Sequence, residues 1–388
     1  MRPLLLATIP ALLATGCSPS EGVASGNSTA ASQAPAPQPT SGNPFTVQEI
    51  ATFEEPWAMA FIPGTGQALI TEKKGRLKLW NPGGAVVDVA GVPTVDYGGQ
   101  GGLGDVVLHP DFANNHFIYL SWVEAGDGDT RGAVVGRGKL VIDGDSARIE
   151  GLQPIWRQEA KVAGRGHYAH RMAFSPDGFL FITSGERQKF DPAQDMNQNL
   201  GKIVRLTDAG GVPSDNPFYD KDRVTAQIWT LGHRNPLGIA FDAQGRLWEH
   251  EMGPKGGDEV NLIVKGRNYG YPIVSNGDHY DGKDIPDHPT RPEYEAPKVW
   301  WNPAISPAGM IIYTGDMFPA WKGDILMGAL SGKALIRVDL DGTNARKGDQ
   351  WDMGTRIREV EQGPDGSVYL LEDQDKSGGG RLLQLTAR

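Results

Sequence analysis

The sequence predicts an all-β chain, on three observations. Gly and Pro, 52 and 28 of the 388 residues, interrupt it too often for long helices and favour short strands joined by turns. Alternating apolar runs are each followed, across a turn rich in Pro, Asp or Gly, by a second, strongly β-prone run. That paired unit then recurs along the chain.

In order, the copies are WAMAFIPGTGQALITE (57–72), GDVVLHPDFANNHFIYLSW (104–122), RMAFSPDGFLFITSGE (171–186), LGIAFDAQGRLWEHE (237–251), GMIIYTGDMFPAWKGDILMGAL (309–330) and IREVEQGPDGSVYLLED (357–373). About 345 residues shared among these copies leaves about 57 for each, enough for four strands with variable loops. Radial repetition also protects sheet edges that an open array would expose. The expected architecture is therefore a six-bladed β-propeller of four-stranded antiparallel blades over residues 44–388. Seven blades or a pair of β-sandwiches are also compatible with the pattern.

The segment before the repeats is of another kind. Residues 1–16 open with Arg2, run through apolar residues too few to span a bilayer, and end in small ones, which reads as an export signal. Ala14-Thr15-Gly16-Cys17 resembles a bacterial lipobox, so Cys17 is expected to become the lipidated first residue. It is the one cysteine of the chain, which excludes an intrachain disulfide. Residues 17–43 then form a Ser/Pro/Ala-rich tether with too little apolar surface to offset its ordering entropy. The expected location is the bacterial cell envelope, exported and facing the periplasm, with the membrane reached only through Cys17. A net charge of −10 without a long basic tract argues against nucleic-acid binding.

In a propeller, side chains converging on the axis come singly from different blades. DYGGQGGLGDVVLHPDF (96–112) sets Gln100 among four glycines, where the backbone turns tightly; a plain Gly-rich turn has the same look. GRGHYAHRMAFSPDG (164–178) carries His167 and His170 just ahead of a strand opened by Arg171. A histidine there suits a general base, or a packed structural role. Their i, i+3 spacing lacks a third ligand of matching type nearby, which argues against zinc. LGHRNPLGIAFD (231–242) places Arg234 and Asn235 before Pro236, and Arg offers a donor fork for carboxylate or quinone oxygens. In HEMGPKGGDEVNLIVKGRNYGYP (250–272), Gly253 and Pro254 offer carbonyls while Asp258 and Glu259 offer carboxylates, a donor set suited to Ca²⁺. In MGTRIREVEQGPDG (353–366), Arg356 and Arg358 flank Ile357 and point to one side if extended. That arrangement calls for an anion or a solvated edge.

Taken together and in order, these motifs resemble the soluble quinoprotein sugar dehydrogenases, in the aldose sugar dehydrogenase branch that uses pyrroloquinoline quinone (PQQ). The resemblance covers about residues 47–388. It implies PQQ in a polar central pocket with Ca²⁺ beside it, and oxidation of aldose sugars at the anomeric carbon to lactones. It further implies His167 as the general base, by its spacing to Arg171, and Gln100 as a pocket residue. Arg234 and Asn235 would contact the quinone, and Arg356 and Arg358 would neutralise cofactor carboxylates. Gly253 and Pro254 would ligate the calcium beside the cofactor, and Glu259 and Tyr269 a second, structural calcium. Tyr280 and the run Ser331, Gly332 and Lys333 fall where further cofactor contacts occur. The partners implied are an aldose sugar and an external electron acceptor, a haem protein or a quinone.

Two departures stand out. Some family members carry Asp directly before the base, where this chain has Gly166, so the base is expected to lack a neighbouring carboxylate. A cofactor-binding lysine falls near Ser331, with Lys333 two places away. The competing readings are a calcium-dependent propeller lactonase, which the paired arginines disfavour, and a non-catalytic carbohydrate-binding propeller, which joint retention of His167, Gln100, Arg234 and Arg356 disfavours.

Overall fold

The computed structural model describes residues 42–221, 224–374 and 379–388, and Cys17 and most of the preceding tether lie outside them. The described chain is all-β and built of antiparallel four-stranded sheets. Pro56–Phe61, Ala68–Glu72, Arg76–Trp80 and Val86–Ala90 form one set of four. Leu103–Leu108, Phe117–Ala125, Thr130–Asp143 and Ser146–Arg157 form the next, joined to the first by a short parallel contact, Val89 to Ala147. Ala169–Phe174, Leu180–Ser184, Lys202–Leu206 and Ile228–Leu231 make a separate sheet. So do Pro236–Phe241, Leu247–Glu251, Asp258–Ile263 and Val299–Trp301, and then Pro307–Ile312, Ile325–Ala329, Ala334–Asp341 and Asn344–Asp352. The last sheet draws on both ends of the chain: Ile357–Gln362, Val368–Glu372 and Arg381–Ala387 are completed by Phe45–Thr52.

The leading strands touch one another in a closed cycle. Pro56–Phe61 contacts Leu103–Leu108, which contacts Ala169–Phe174, then Pro236–Phe241, Pro307–Ile312, Ile357–Gln362 and Pro56–Phe61 again. The second strand of most sheets is buried throughout, as in ALITE, LFITS, LWEHE, ILMGA and VYLLE. Burial between neighbouring sheets explains their near-continuous apolar, β-branched character, because neither face meets water.

One irregularity recurs at the start of every leading strand. The register slips between Pro56 and Ala58, Leu103 and Val106, Ala169 and Met172, Pro236 and Gly238, Pro307 and Met310, and Ile357 and Glu359. A bulge of this kind bends the strand and re-aims its side chains. Here Trp57, His170, Leu237 and Arg358, all at or beside bulges, line one cavity.

Deeper along the same strands sits a buried ionic layer. The Arg171 guanidinium pairs with Glu359, reaches Asp105 at 3.3 Å and the Leu237 carbonyl at 3.1 Å, and lies 4.0 Å over the Trp57 ring. Burial pushes the Glu359 carboxyl up to about 7. The layer ties five leading strands together.

Candidate active site

At the bulged ends of the leading strands lies a cavity of about 350 Å³ lined by Lys73, Gln100, His170, Asn235, Arg356 and Arg358, among others. Of its charged walls, Lys73, Arg356 and Arg358 are cations and Asp373 alone is a carboxylate. Arg356 Nε is 2.8 Å from Asp373 Oδ2, and the Arg358 guanidinium is 2.9 Å from Oδ1. The anion that the paired arginines require is therefore supplied first by the protein itself. The surplus of positive charge remains available for a bound carboxylate. Lys73, missed in the sequence, comes from the turn after Ala68–Glu72, and its ammonium is held below the usual lysine range by burial and by Arg358.

Gln100 reaches this wall through its glycines. At Gly99 (φ +59°) a Cβ would fall 2.5 Å from the Arg165 carbonyl oxygen, so only glycine permits the approach. The Gln100 carboxamide oxygen then accepts a hydrogen bond of 2.6 Å from the His167 main-chain N–H.

An adjoining cavity of about 300 Å³ is lined by His167, Glu186, Gln188, Phe190, Arg234, Pro254, Tyr271 and Tyr280, among others. Its centre is a pair the sequence did not reveal. His167 Nδ1 hydrogen-bonds the Glu186 carboxylate, whose other oxygen accepts the N–H of Phe190 at 2.7 Å and that of Lys189. This corrects the expectation that the base lacks a carboxylate. A side chain at Gly166 would strike the Gln188 carboxamide, and Glu186 supplies the charge from across the loop instead. With Nδ1–H donated to Glu186, Nε2 carries the lone pair. Desolvation lowers the imidazole pKa, the Glu186 carboxylate opposes this, and the Arg234 and Arg187 charges lower it further, which favours the neutral ring.

His170 has a different setting. It is fully buried, stacked on Trp57 at 5.2 Å, with Nδ1 2.6 Å from Ser121 Oγ, and burial pushes it down to about 3. It is a packed wall of the first cavity.

Arg234 and Asn235 stand between the two cavities, fixed from behind by Glu251, whose carboxylate accepts both of their main-chain N–H groups. Arg234 Nη1 donates to the Met252 carbonyl at 3.0 Å, while Arg234 Nε and Asn235 Oδ1 are buried without a hydrogen-bond partner. Buried polar atoms in native folds are almost always satisfied. These two fit a polar ligand bridging the cavities, and the surrounding cations fit one rich in carboxylates, as PQQ is.

Gly253 and Pro254 follow directly. A side chain at Gly253 would strike the Gly256 carbonyl, which accounts for the glycine. Asp258 is tied to the main chain. Its carboxylate accepts main-chain N–H groups of Gly253 at 2.9 Å, Ile305 at 2.7 Å and Ser306 at 2.6 Å. Glu259 instead belongs to a buried acidic group with Glu249 and Glu251, beside His233. Asn261 Nδ2 bridges Glu249 and Glu259 at 3.0 and 3.1 Å, leaving Glu249 Oε1 and Asn261 Oδ1 buried and unpartnered. Burial and the charge of Glu251 push the Glu249 and Glu259 carboxyls well above the carboxylate range. Hard oxygen donors with surplus negative charge fit Ca²⁺. Tyr269 stacks on His233 at 4.7 Å, but its hydroxyl donates to the Leu262 carbonyl and is taken up there.

The remaining predicted residues lie further out. Tyr280 is 74% exposed at the rim of the second cavity, 5.9 Å from the Arg234 guanidinium. Ser331 and Lys333 are exposed in the turn between Ile325–Ala329 and Ala334–Asp341, with Gly332 half-buried between them. None of the three lines either cavity; Leu330 and Ser306 line the first cavity there.

Known proteins share this sequence and fold. Residues 53–384 match the profile of the Glucose / Sorbosone dehydrogenase family. The aldose sugar dehydrogenase YliI of Escherichia coli (strain K12) is 39% identical over 343 residues, spanning 86% of this chain and 91% of that protein. A solved glucose dehydrogenase superposes with a TM-score of 0.84 at 41% identity, covering 88% of this chain and 100% of the other. The PQQ-bound aldose sugar dehydrogenase of Streptomyces coelicolor superposes with a TM-score of 0.71 at 26% identity, over 90% and 100% of the two chains. The chain belongs to the glucose/sorbosone dehydrogenase family of PQQ-dependent sugar dehydrogenases.

Proposed function

We propose that this protein is a PQQ- and calcium-dependent aldose sugar dehydrogenase that oxidises aldoses at the anomeric carbon to lactones. The observation that carries the reading is the pair of buried, unpartnered atoms Arg234 Nε and Asn235 Oδ1, set between a cation-lined cavity and the His167–Glu186 pair. The fold is a six-bladed propeller on residues 44–388, supported by the closed cycle of leading strands and their repeated bulge.

PQQ would be held by Lys73, Arg356, Arg358, Arg234 and Asn235, and when bound would supply the two-electron oxidant for the anomeric carbon. His167 Nε2 takes the proton of the anomeric hydroxyl. Glu186 holds the ring through Nδ1–H and stabilises the imidazolium that forms, and a base so placed is most useful when its pKa lies near or below the working pH. The Arg234 guanidinium meets negative charge as it develops, and a fixed cation in a shielded site does this without reorganising. The Gly253 and Pro254 carbonyls would hold one Ca²⁺, and Glu249, Glu251, Glu259 and Asn261 would hold a second. The two electrons leave to an external acceptor, a haem protein or a quinone.

The apoprotein is expected to be inactive, and PQQ with Ca²⁺ to restore aldose-dependent dye reduction. Demonstrated PQQ binding without turnover on any aldose overturns the reading.

For the N-terminal segment the proposal is a signal over 1–16, a lipid on Cys17 and a tether over 17–43, holding the enzyme at the cell envelope on the periplasmic side. Cys17→Ser is expected to release a soluble protein of unchanged activity. A variant that stays with the membrane fraction refutes the anchor.

A further inference from the structure

Backbone strain in this protein is concentrated around the base. Among the described residues, ten non-glycine residues have positive φ, and six of them are His167, Ala169, His170, Arg187, Gln188 and Phe190. Such residues persist only where their surroundings over-determine them. One side chain outside both cavities holds the main chain leading into His167. Arg187 is completely buried, its guanidinium 3.8 Å from the Tyr168 ring centroid. It donates to the carbonyls of Gly166 at 2.9 Å, Gly164 at 2.5 Å and Arg131 at 2.7 Å. Its main-chain N–H donates to the His167 carbonyl at 3.3 Å.

A buried guanidinium held by main-chain carbonyls is costly to desolvate, and packing alone would be served better by an apolar side chain. Two of its three carbonyls belong to the loop that carries His167. The preceding residue, Glu186, grips the His167 ring itself. One dipeptide thus holds the base twice, by its ring through Glu186 and by its backbone through Arg187.

We propose that Arg187 is a positioning residue for the reaction, clamping the 164–170 loop in the left-handed conformation that aims His167 Nε2 into the active-site cavity. This rests on His167 being the base, as proposed above.

The test compares Arg187→Met with Arg187→Lys at saturating PQQ, reading kcat, KM, PQQ affinity by titration, and amide hydrogen exchange across residues 164–170. Misplacing a reacting group by about 1 Å costs about 10²-fold in rate. Arg187→Met is therefore expected to lose about that much kcat with KM and PQQ affinity unchanged, and to exchange faster over 164–170 than over the sheets. Arg187→Lys, which keeps the charge, is expected to recover part of kcat. The proposal is overturned if Arg187→Met keeps wild-type kcat, if PQQ affinity falls in step with kcat, or if neither variant folds. Should the wild-type protein itself fail to oxidise aldoses, the functional reading fails, and hydrogen exchange alone decides: localised acceleration upholds the clamp and unchanged exchange removes it.

Discussion

His167→Ala is expected to lower turnover by about 10² to 10⁴ while PQQ still binds, because the variant loses the proposed general base. The geometry makes the loss specific. The His167 hydrogen bond to Gln100 of the first cavity is made by its main-chain N–H, which alanine keeps. Arg356→Ala is expected to do the reverse. A cofactor carboxylate loses a charge-assisted partner worth about 1.5–3 kcal/mol, so PQQ binding weakens by about 10- to 100-fold, with turnover preserved at saturation. Steady-state rates at saturating PQQ, set beside a PQQ titration, separate the two. Near-normal turnover in His167→Ala, with loss of turnover in His170→Ala, would reassign the base. The buried setting of His170, stacked on Trp57, predicts instead that its removal acts on packing.

Arg171→Met is expected to have the largest effect on stability. It strands Glu359 and Asp105 in the ionic layer without their cation, and breaking a buried pair from one side costs about 3–5 kcal/mol. The loss should depend on pH in a definite direction. Glu359 has a folded-state pKa of about 7, above its ordinary value of 4.5, so the folded state holds the proton more tightly than the unfolded state. Stability contributed in this way is full below the unfolded value and is lost as pH rises through the folded one. In the variant the carboxyl has no cation to offset ionisation, so the deficit is expected to be smaller near about pH 5 than near about pH 8. Chemical denaturation at the two values reads this directly. A deficit below about 1 kcal/mol, or one that shrinks as pH rises, is incompatible with the layer described.

The strand pattern was legible because the repeat is written in apolar alternation and turn residues, which act locally. ALITE, LFITS, ILMGA and VYLLE declare themselves as buried strands without reference to the rest of the fold. The site was legible in part, through side chains adjoining a recognisable turn: Gln100 in its glycines, and Arg234 and Asn235 before Pro236. Glu186 escaped notice because its meeting with His167 is made across a loop closure 19 residues long. Lys73 escaped because it enters the cavity from the first sheet, far in sequence from Arg356 and Arg358. Glu249 and Glu251 left a clue that could have been read. LWEHE places two acids and a histidine in the strand position that is otherwise mostly apolar, and a buried strand does not carry such residues without a use for them. Arg356 and Arg358 read as calling for an anion or a solvated edge, and the sequence could not show that Asp373 lies against both.

The strand Phe45–Thr52 is among the first parts of the folded region to be synthesised, and the strand it pairs with, Arg381–Ala387, is the last. Thr46 and Thr386, whose hydroxyls meet at 2.7 Å, stand 340 positions apart in the chain. The final sheet therefore stays one strand short until Arg381–Ala387 has been made. Closing so long a loop costs little more than closing one of half the length, since the entropy grows only with the logarithm of length, but contacts this distant form slowly. A nascent chain cannot complete the fold before this segment is made. A chain that terminates a few residues short offers an unpaired strand edge to proteases and to other chains, so unfinished copies are marked as unfinished by their own architecture.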